Sequence, residues 1–375
     1  MLHVVADINI PFLKGALEPY AHIEYLPGIK ITREKIKKAD ALLIRTRTKC
    51  TSDLLEGTSV KFIGSATIGF DHIDTIFCEK NSIRWTNAPG CNSFSVQQYM
   101  MAALLKITCE CLFNLKDKTI GIIGVGNVGT KVGKFARLMG MNVLLNDPPR
   151  ERREGKEGFS DFDIVITESD IITMHVPLTF KGEDATYHII NDNILEKMKN
   201  GVWFINTSRG EVADTDAMKA ALHSGKLAGA VFDVWEHEPD IDIELMSRAF
   251  IATPHIAGYS ADGKANGTAM IVNALAKFFN LPIINWFPDD IPLPLRPLIT
   301  INAKDKSEIE IVNEAVSHTY NISEDDKRFR LAPSDFDKLR DEYPLRRESP
   351  AYTVKLENSY ENVIKVLEQL RFRVS

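Results

Sequence analysis

The sequence predicts an α/β protein built from two doubly wound, Rossmann-like parallel-sheet domains and a small C-terminal α+β domain. Three observations carry this. Short apolar runs alternate with helix-like stretches from the N-terminus, a second alternating series begins at Lys118, and prolines crowd residues 282 to 297 before a final strand-and-helix group. Alternation of that kind reads as parallel, helix-covered sheet. At 375 residues the chain also exceeds one ordinary domain.

In order, HVVAD (3 to 7), ALLIRT (41 to 46) and KFIGSA (61 to 66) are expected strands, with TREKIKKAD (32 to 40) helix-like between the first two. The second series, expected as strands, runs TIGIIGVG, NVLLNDP, IVIT, IITMHVP, VWFINTS, GAVFDVW and FIATPH, the pattern of a doubly wound unit. Pro282, Pro288, Pro292, Pro294 and Pro297 break helix and central strand alike and mark a linker. Beyond it, ITINAKD and AYTVKLE are strand-like, and residues 358 to 371 carry Val363, Ile364, Val366, Leu367 and Leu370 at helical spacing.

Composition narrows the class. A hydrophobic fraction of 44% and a charged fraction of 26% suit a soluble enzyme. No apolar run approaches the roughly 18 to 20 residues of a membrane helix, and Asp7 interrupts the first run too early for a signal peptide. A net charge of −6 argues against broad nucleic-acid binding. Five cysteines without a Cys-x-x-Cys pair suggest reduced thiols, a cytoplasmic location and no metal site. Cys109 and Cys111 read as filler in a helix, with the burial usual for free cysteine.

Gly124-Val125-Gly126-Asn127-Val128-Gly129 follows the run TIGII and opens a helix-like segment. In that context the first glycine permits a tight turn, the second admits a pyrophosphate and the third packs helix on strand. Asp147 ends the next strand, where a carboxylate bonds the adenosine ribose and repels a 2'-phosphate, so NAD is favoured over NADP. The competing reading makes Asp147 a cap for the Pro-Pro turn after it.

Three later strand ends carry Arg209, Glu238 and His255. Oxidation of a 2-hydroxy acid needs a base for the hydroxyl proton and a cation for the carboxylate. Histidine suits the first, more so with a carboxylate partner, and the planar fork of arginine suits the second. His255 is therefore the expected acid/base, Glu238 its orienting partner and Arg209 the carboxylate anchor. Taken singly, each is also an ordinary loop residue: Glu238 in a solvated turn, Arg209 a surface charge, His255 a loop histidine. Asp233, ending the strand GAVFD, reads equally as a nicotinamide contact or a structural cap.

These residues sit in APGCNS (88 to 93), GIIGVGNVG (121 to 129), INTSRGEVAD (205 to 214), GAVFDVWEHEP (229 to 239) and TPHIAG (253 to 258). The series resembles the D-isomer-specific 2-hydroxyacid dehydrogenases from about residue 40 to 280. The resemblance implies Arg209, Glu238 and His255 as catalytic residues, and a cofactor site that adds His175, Thr207, Ser208 and Gly258 to the fingerprint, Asp147 and Asp233. It further implies a discontinuous substrate-binding domain (1 to 92 with 256 to 285), an NAD-binding domain (93 to 255) and a homodimer formed by residues 286 to 375.

VVADINIPF, KFIGSATIGFDHID, NDPPR, HIAGYS and FDKLRDEYPLRRE resemble a branch of the family with that extra domain and a small phosphorylated hydroxy acid as substrate. Arg45, Thr46, Thr67 and Tyr259 are then the expected substrate contacts. Arg47 and Lys49 read equally as solvated charges, and Arg346 and Arg347 as surface charges more than as groups reaching across a dimer. Gln97-Gln98 departs from the Ala-Glu pair of many relatives, and Ala213 replaces the commoner valine. Another substrate of the family, 3-phosphoglycerate among them, stays open, as does a nucleotide-sensing binding protein on the same fold.

Overall fold

The computed structural model describes every residue except Ser359, which falls in the segment 358 to 371. The chain forms two compact units, Met1–Asn92 with Ser260–Leu293, and Ser93–Tyr259 with Pro294–Ser375.

The first unit holds one parallel sheet of β1 (Leu2–Asp7), β2 (Ala21–Leu26), β3 (Ala41–Ile44), β4 (Phe62–Ser65) and β5 (Arg84–Thr86), ordered β2-β1-β3-β4-β5. β3 and β4 are buried at every position because both faces are covered. Val4, Ala6 and Leu43 pack with Ile271, Val272 and Leu275 of the helix Ala261–Phe278. Val5, Leu42 and Ile44 face the other way, onto Ile36, Leu55 and Cys78. Strand order reverses between β1 and β3, where an open α/β sheet binds ligands beyond its strand ends.

The second unit holds β6 (Thr119–Ile123), β7 (Asn142–Asn146), β8 (Ile171–Met174), β9 (Val202–Asn206), β10 (Leu227–Phe232) and β11 (Ile251–Ala252), all parallel, ordered β11-β10-β9-β8-β6-β7. One expected strand is instead helical. IVIT lies inside the helix Phe162–Glu168, which crosses from β7 to β8 and buries Val165 and Ile166. A four-residue apolar run has no period of its own, and burial of one helical face on the sheet decided it.

The last strands, β12 (Leu298–Asn302), β13 (Thr353–Glu357) and β14 (Arg373–Val374), form a small parallel sheet. Residues 294 to 375 group with the second unit. Their helix Glu308–Thr319 buries Ile311, Val312 and Val316 in the same core as Met100 and Leu104 of the helix Ser93–Cys111. Gln98 on that helix donates to Thr319 Oγ1 at 3.0 Å and to the Arg347 carbonyl at 3.1 Å, which gives the departure at this position a structural purpose.

Two expectations fail here. Cys109 and Cys111 are exposed, because the helix outruns its cover at its C-terminal end. Arg346 and Arg347 are buried. The Arg346 guanidinium stacks 4.4 Å from the Tyr320 ring centroid and donates to the carbonyls of Ser95 and Ala257, so aromatic faces and backbone oxygens replace the water a surface arginine would have.

Candidate active site

The nucleotide cradle lies at the end of β6. Gly124 adopts φ +90°, and a β-carbon there would stand 2.5 Å from the His175 carbonyl oxygen. One at Gly129 would stand 2.0 Å from the Gly124 carbonyl oxygen, whereas one at Gly126 would meet nothing within 4 Å. The outer glycines thus serve the fold, and Gly126 leaves open space at the first turn of the helix Asn127–Leu138, with Val128 on that turn. Unpaired N–H groups and a positive dipole end there suit a pyrophosphate.

Asp147 caps the helix after it and ties it to the glycine loop. Its Oδ2 accepts from the Val125 N–H at 2.8 Å, fixing the loop, and its Oδ1 caps the helix Pro148–Glu154 through the Arg150 N–H at 3.0 Å. His175, after β8, is half-buried, and desolvation of its charged ring lowers its pKa to about 3. It is therefore a neutral group, bonded to Thr173 Oγ1 at 3.0 Å with Thr207 Oγ1 at 3.4 Å.

The loop after β9 carries Arg209. Asn206 organises it: its side chain donates to the Arg209 carbonyl at 2.8 Å and accepts from both the N–H and the hydroxyl of Ser208. Gly210 then lies against the loop after β10, where a β-carbon would come within 1.9 Å of the Trp235 carbonyl carbon. That contact requires glycine and brings the Arg209 and Glu238 loops side by side.

His255 follows β11 with φ +56°, a left-handed conformation costly for a residue with a β-carbon. Asp233 holds it there. The Asp233 carbonyl accepts the His255 N–H at 2.6 Å, Oδ1 accepts from the Ile256 N–H and the Thr253 hydroxyl, and Oδ2 accepts from the Ala257 N–H. Burial raises the Asp233 pKa to about 6 against those bonds and the nearby His255. Behind it, the Thr253 hydroxyl pairs with Tyr99 OH at 2.8 Å, and the Thr253 carbonyl accepts the Trp235 indole N–H at 2.9 Å.

On this frame His255 Nδ1 meets Glu238 Oε2 at 2.8 Å, while Glu238 Oε1 accepts from the Trp235 N–H at 3.0 Å. Burial alone would raise the Glu238 pKa, but His255, the Trp235 N–H and Arg340 together lower it, so the group stays a carboxylate. With Nδ1 engaged, His255 Nε2 is the nitrogen left to exchange a proton. Glu238 and His255 are each partly exposed, as groups that meet a small molecule must be.

Gly258, expected at the cofactor, and Tyr259, expected at the substrate, continue the His255 loop, with the Tyr259 ring 5.8 Å edge-on from Tyr343. The other expected substrate contacts belong to the first unit. Arg45 follows β3 and donates to the Asn9 carbonyl at 3.1 Å, Thr46 beside it is exposed, and Thr67 follows β4 with its hydroxyl 2.8 Å from that of Ser65. Among the described residues no cluster of three or more His, Cys, Asp or Glu side chains could hold a metal ion.

Sequence reasoning missed Asn206, Tyr99 and Trp235, whose roles depend on partners up to about 150 residues away. It also missed Arg340, which stands beside Glu238 and Tyr259. That arginine lay in a segment notable only for its resemblance.

Comparison with known proteins agrees with the cradle. The model of the D-isomer specific 2-hydroxyacid dehydrogenase NAD-binding domain matches residues 99–257, and a domain of unknown function matches 293–370. An erythronate-4-phosphate dehydrogenase of Bacteroides thetaiotaomicron is 49% identical over 94% of this chain and 99% of its own length, and one from Proteus mirabilis 39% identical over 95% and 96%. Among solved structures, a D-lactate dehydrogenase of Aquifex aeolicus complexed with NAD and lactic acid is 28% identical with TM-score 0.63, covering 74% of this chain and 95% of that one. With a nucleotide cradle at β6, paired Glu238 and His255 at the neighbouring strand ends and relatives matched along nearly their whole length, the chain belongs to the D-isomer-specific 2-hydroxyacid dehydrogenases and, within them, to the erythronate-4-phosphate dehydrogenase family.

Proposed function

We propose that the protein oxidises 4-phospho-D-erythronate at C2 to 2-oxo-3-hydroxy-4-phosphobutanoate, with NAD as cofactor, in the route to pyridoxal 5'-phosphate. The observation that carries this is the Glu238–His255 pair, held at 2.8 Å beside an Arg209 loop on the sheet that bears the nucleotide cradle. Bound NAD supplies the acceptor for the hydride leaving C2. Gly126, Asn127, Val128 and the Asp147 loop would hold it, with His175, Thr207, Ser208 and Gly258 along its length.

His255 Nε2 takes the C2 hydroxyl proton as the carbonyl forms, and the Glu238 carboxylate balances the imidazolium charge. Arg209 binds the C1 carboxylate through its planar fork. Thr46, Thr67, Arg45 and Tyr259 are the further groups we assign to substrate. We also assign the protein to the cytoplasm, where five free cysteines are at home. The homodimer is part of this proposal, and exposed Leu295, Leu298 and Leu331 in the C-terminal region supply apolar area suited to an interface.

Steady-state NAD reduction with 4-phosphoerythronate, 3-phosphoglycerate and D-lactate tests the substrate. The first should give much the highest kcat/KM. Turnover of phosphoglycerate without phosphoerythronate would overturn it, and nucleotide binding without turnover of any of them would point to a sensor. Light scattering of the eluting protein tests the dimer, which a mass of one 42.1 kDa chain would exclude.

A further inference from the structure

A phosphorylated 2-hydroxy acid has two anionic ends, a carboxylate on the carbon beside the reacting hydroxyl and a phosphate at the far terminus. If Arg209 serves the first, the second needs its own donors. A phosphate monoester near neutral pH carries close to two negative charges and three strong acceptor oxygens, and a guanidinium matches it in charge and shape.

The His255 loop has two further guanidiniums near it. Arg346 is buried, stacks on Tyr320 and is bonded to the backbone at Ser95 and Ala257, so it braces the loop from behind. Arg340 differs. It is only half-buried, stands with its guanidinium carbon 5.8 Å from the Tyr259 ring centroid, and acts electrostatically on Glu238. Its Nε is a buried donor with no protein partner, as are Nε and Nη1 of Arg346, but it is Arg340 that acts on Glu238. The acidic groups facing it are Glu238 and Asp337, the latter 3.6 Å from Nη1 in a loose, solvent-reaching pair. An unpaired buried donor beside a catalytic pair calls for an acceptor that the protein does not supply.

We propose that Arg340 anchors the terminal phosphate of the substrate, so that the C-terminal region sets specificity for a phosphorylated hydroxy acid at a site whose chemistry the NAD-binding sheet provides. This rests on the assignment of a phosphorylated substrate above. Arg340 lies in the stretch 293–370, outside the segment that matches the NAD-binding domain. The D-lactate dehydrogenase structure, whose bound lactic acid has one anionic end, leaves about a quarter of this chain unmatched. A phosphate site drawn from the added segment lets the shared catalytic residues keep their geometry while the substrate changes.

The test compares the full-length wild type with Arg340→Gln and Arg340→Lys on 4-phosphoerythronate and on unphosphorylated D-erythronate. For Arg340→Gln, kcat/KM on the phosphorylated substrate should fall on the order of 10²-fold, mostly through KM, as expected for loss of a charged anchor. Turnover of D-erythronate, which has no terminal phosphate for Arg340 to hold, should fall far less, by only the part that Arg340 contributes through the charge of Glu238. Arg340→Lys should recover part of the loss, and inhibition by inorganic phosphate should weaken in step. Equal losses on both substrates would make Arg340 a positioning residue for Glu238 and overturn the proposal, as would an unchanged KM for phosphoerythronate. NAD affinity and melting temperature of each variant show whether it is folded. A wild type that ignores phosphoerythronate altogether would instead refute the assignment of function on which the proposal stands.

Discussion

Glu238 uses both carboxylate oxygens at once, one on His255 Nδ1 at 2.8 Å and the other on the Trp235 N–H at 3.0 Å, so the backbone of its own loop aims it at the imidazole. Its lowered pKa keeps it a carboxylate, so a negative charge faces the imidazole that takes the substrate proton. In Glu238→Gln that counter-charge is gone, and kcat for oxidation should fall on the order of 10²-fold or more, because the amide no longer fixes tautomer and charge together. A kcat close to wild type would separate Glu238 from the proton transfer.

Replacing His255 tests the base itself. His255→Gln keeps a polar side chain of similar reach, and the ties through Asp233 involve only the backbone at this position, so NAD affinity should hold. Turnover should drop roughly 10²- to 10⁴-fold. Single-turnover measurement of NADH appearance separates this from slow product release, and near wild-type rates there would remove His255 from the chemistry.

Much of this site was legible because parallel strands gather their C-terminal ends, so residues such as Arg209, Glu238 and His255 share an edge when their strands are recognised. The glycine fingerprint was legible for a similar reason, its three positions carrying distinct steric demands. What could not be read depends on contacts between distant segments. IVIT became helix through the face it buries on the sheet, and Arg346 turned inward because Tyr320 and the carbonyls of Ser95 and Ala257 receive it. Arg340 shows the same limit at the site: nothing in FDKLRDEYPLRRE distinguishes its first arginine from the later two except what the fold sets beside it.

Gly210 offers a steric test. A methyl group there would collide with the Trp235 carbonyl, so Gly210→Ala must part the Arg209 loop from the Glu238 loop. Overpacking of this kind costs about 1 to 3 kcal/mol, visible as a lower melting temperature. Because the displaced neighbour is Arg209, KM for the hydroxy acid should rise more than KM for NAD. Equal effects on both would indicate general loosening.

Asp233 gives the sharpest pH prediction. Its folded pKa of about 6 lies above the ordinary aspartate value of 3.8, so the folded protein binds this proton more readily than the unfolded chain. The contribution from this group is thus fully present below about pH 4 and is lost as pH rises through about 6. A shift of that size corresponds to roughly 3 kcal/mol, counted for a fully buried group. Asp233→Asn does not titrate, and so removes the dependence. It also sets an amide against one of the three donors that Asp233 now accepts, so the His255 loop should slacken and kcat should fall. Denaturant unfolding of both proteins between pH 4.5 and 7.5 measures the linkage: the stability of wild type relative to Asp233→Asn should increase steadily as pH is lowered. A difference that is flat across that range would show that the folded protein does not bind this proton more readily than the unfolded chain.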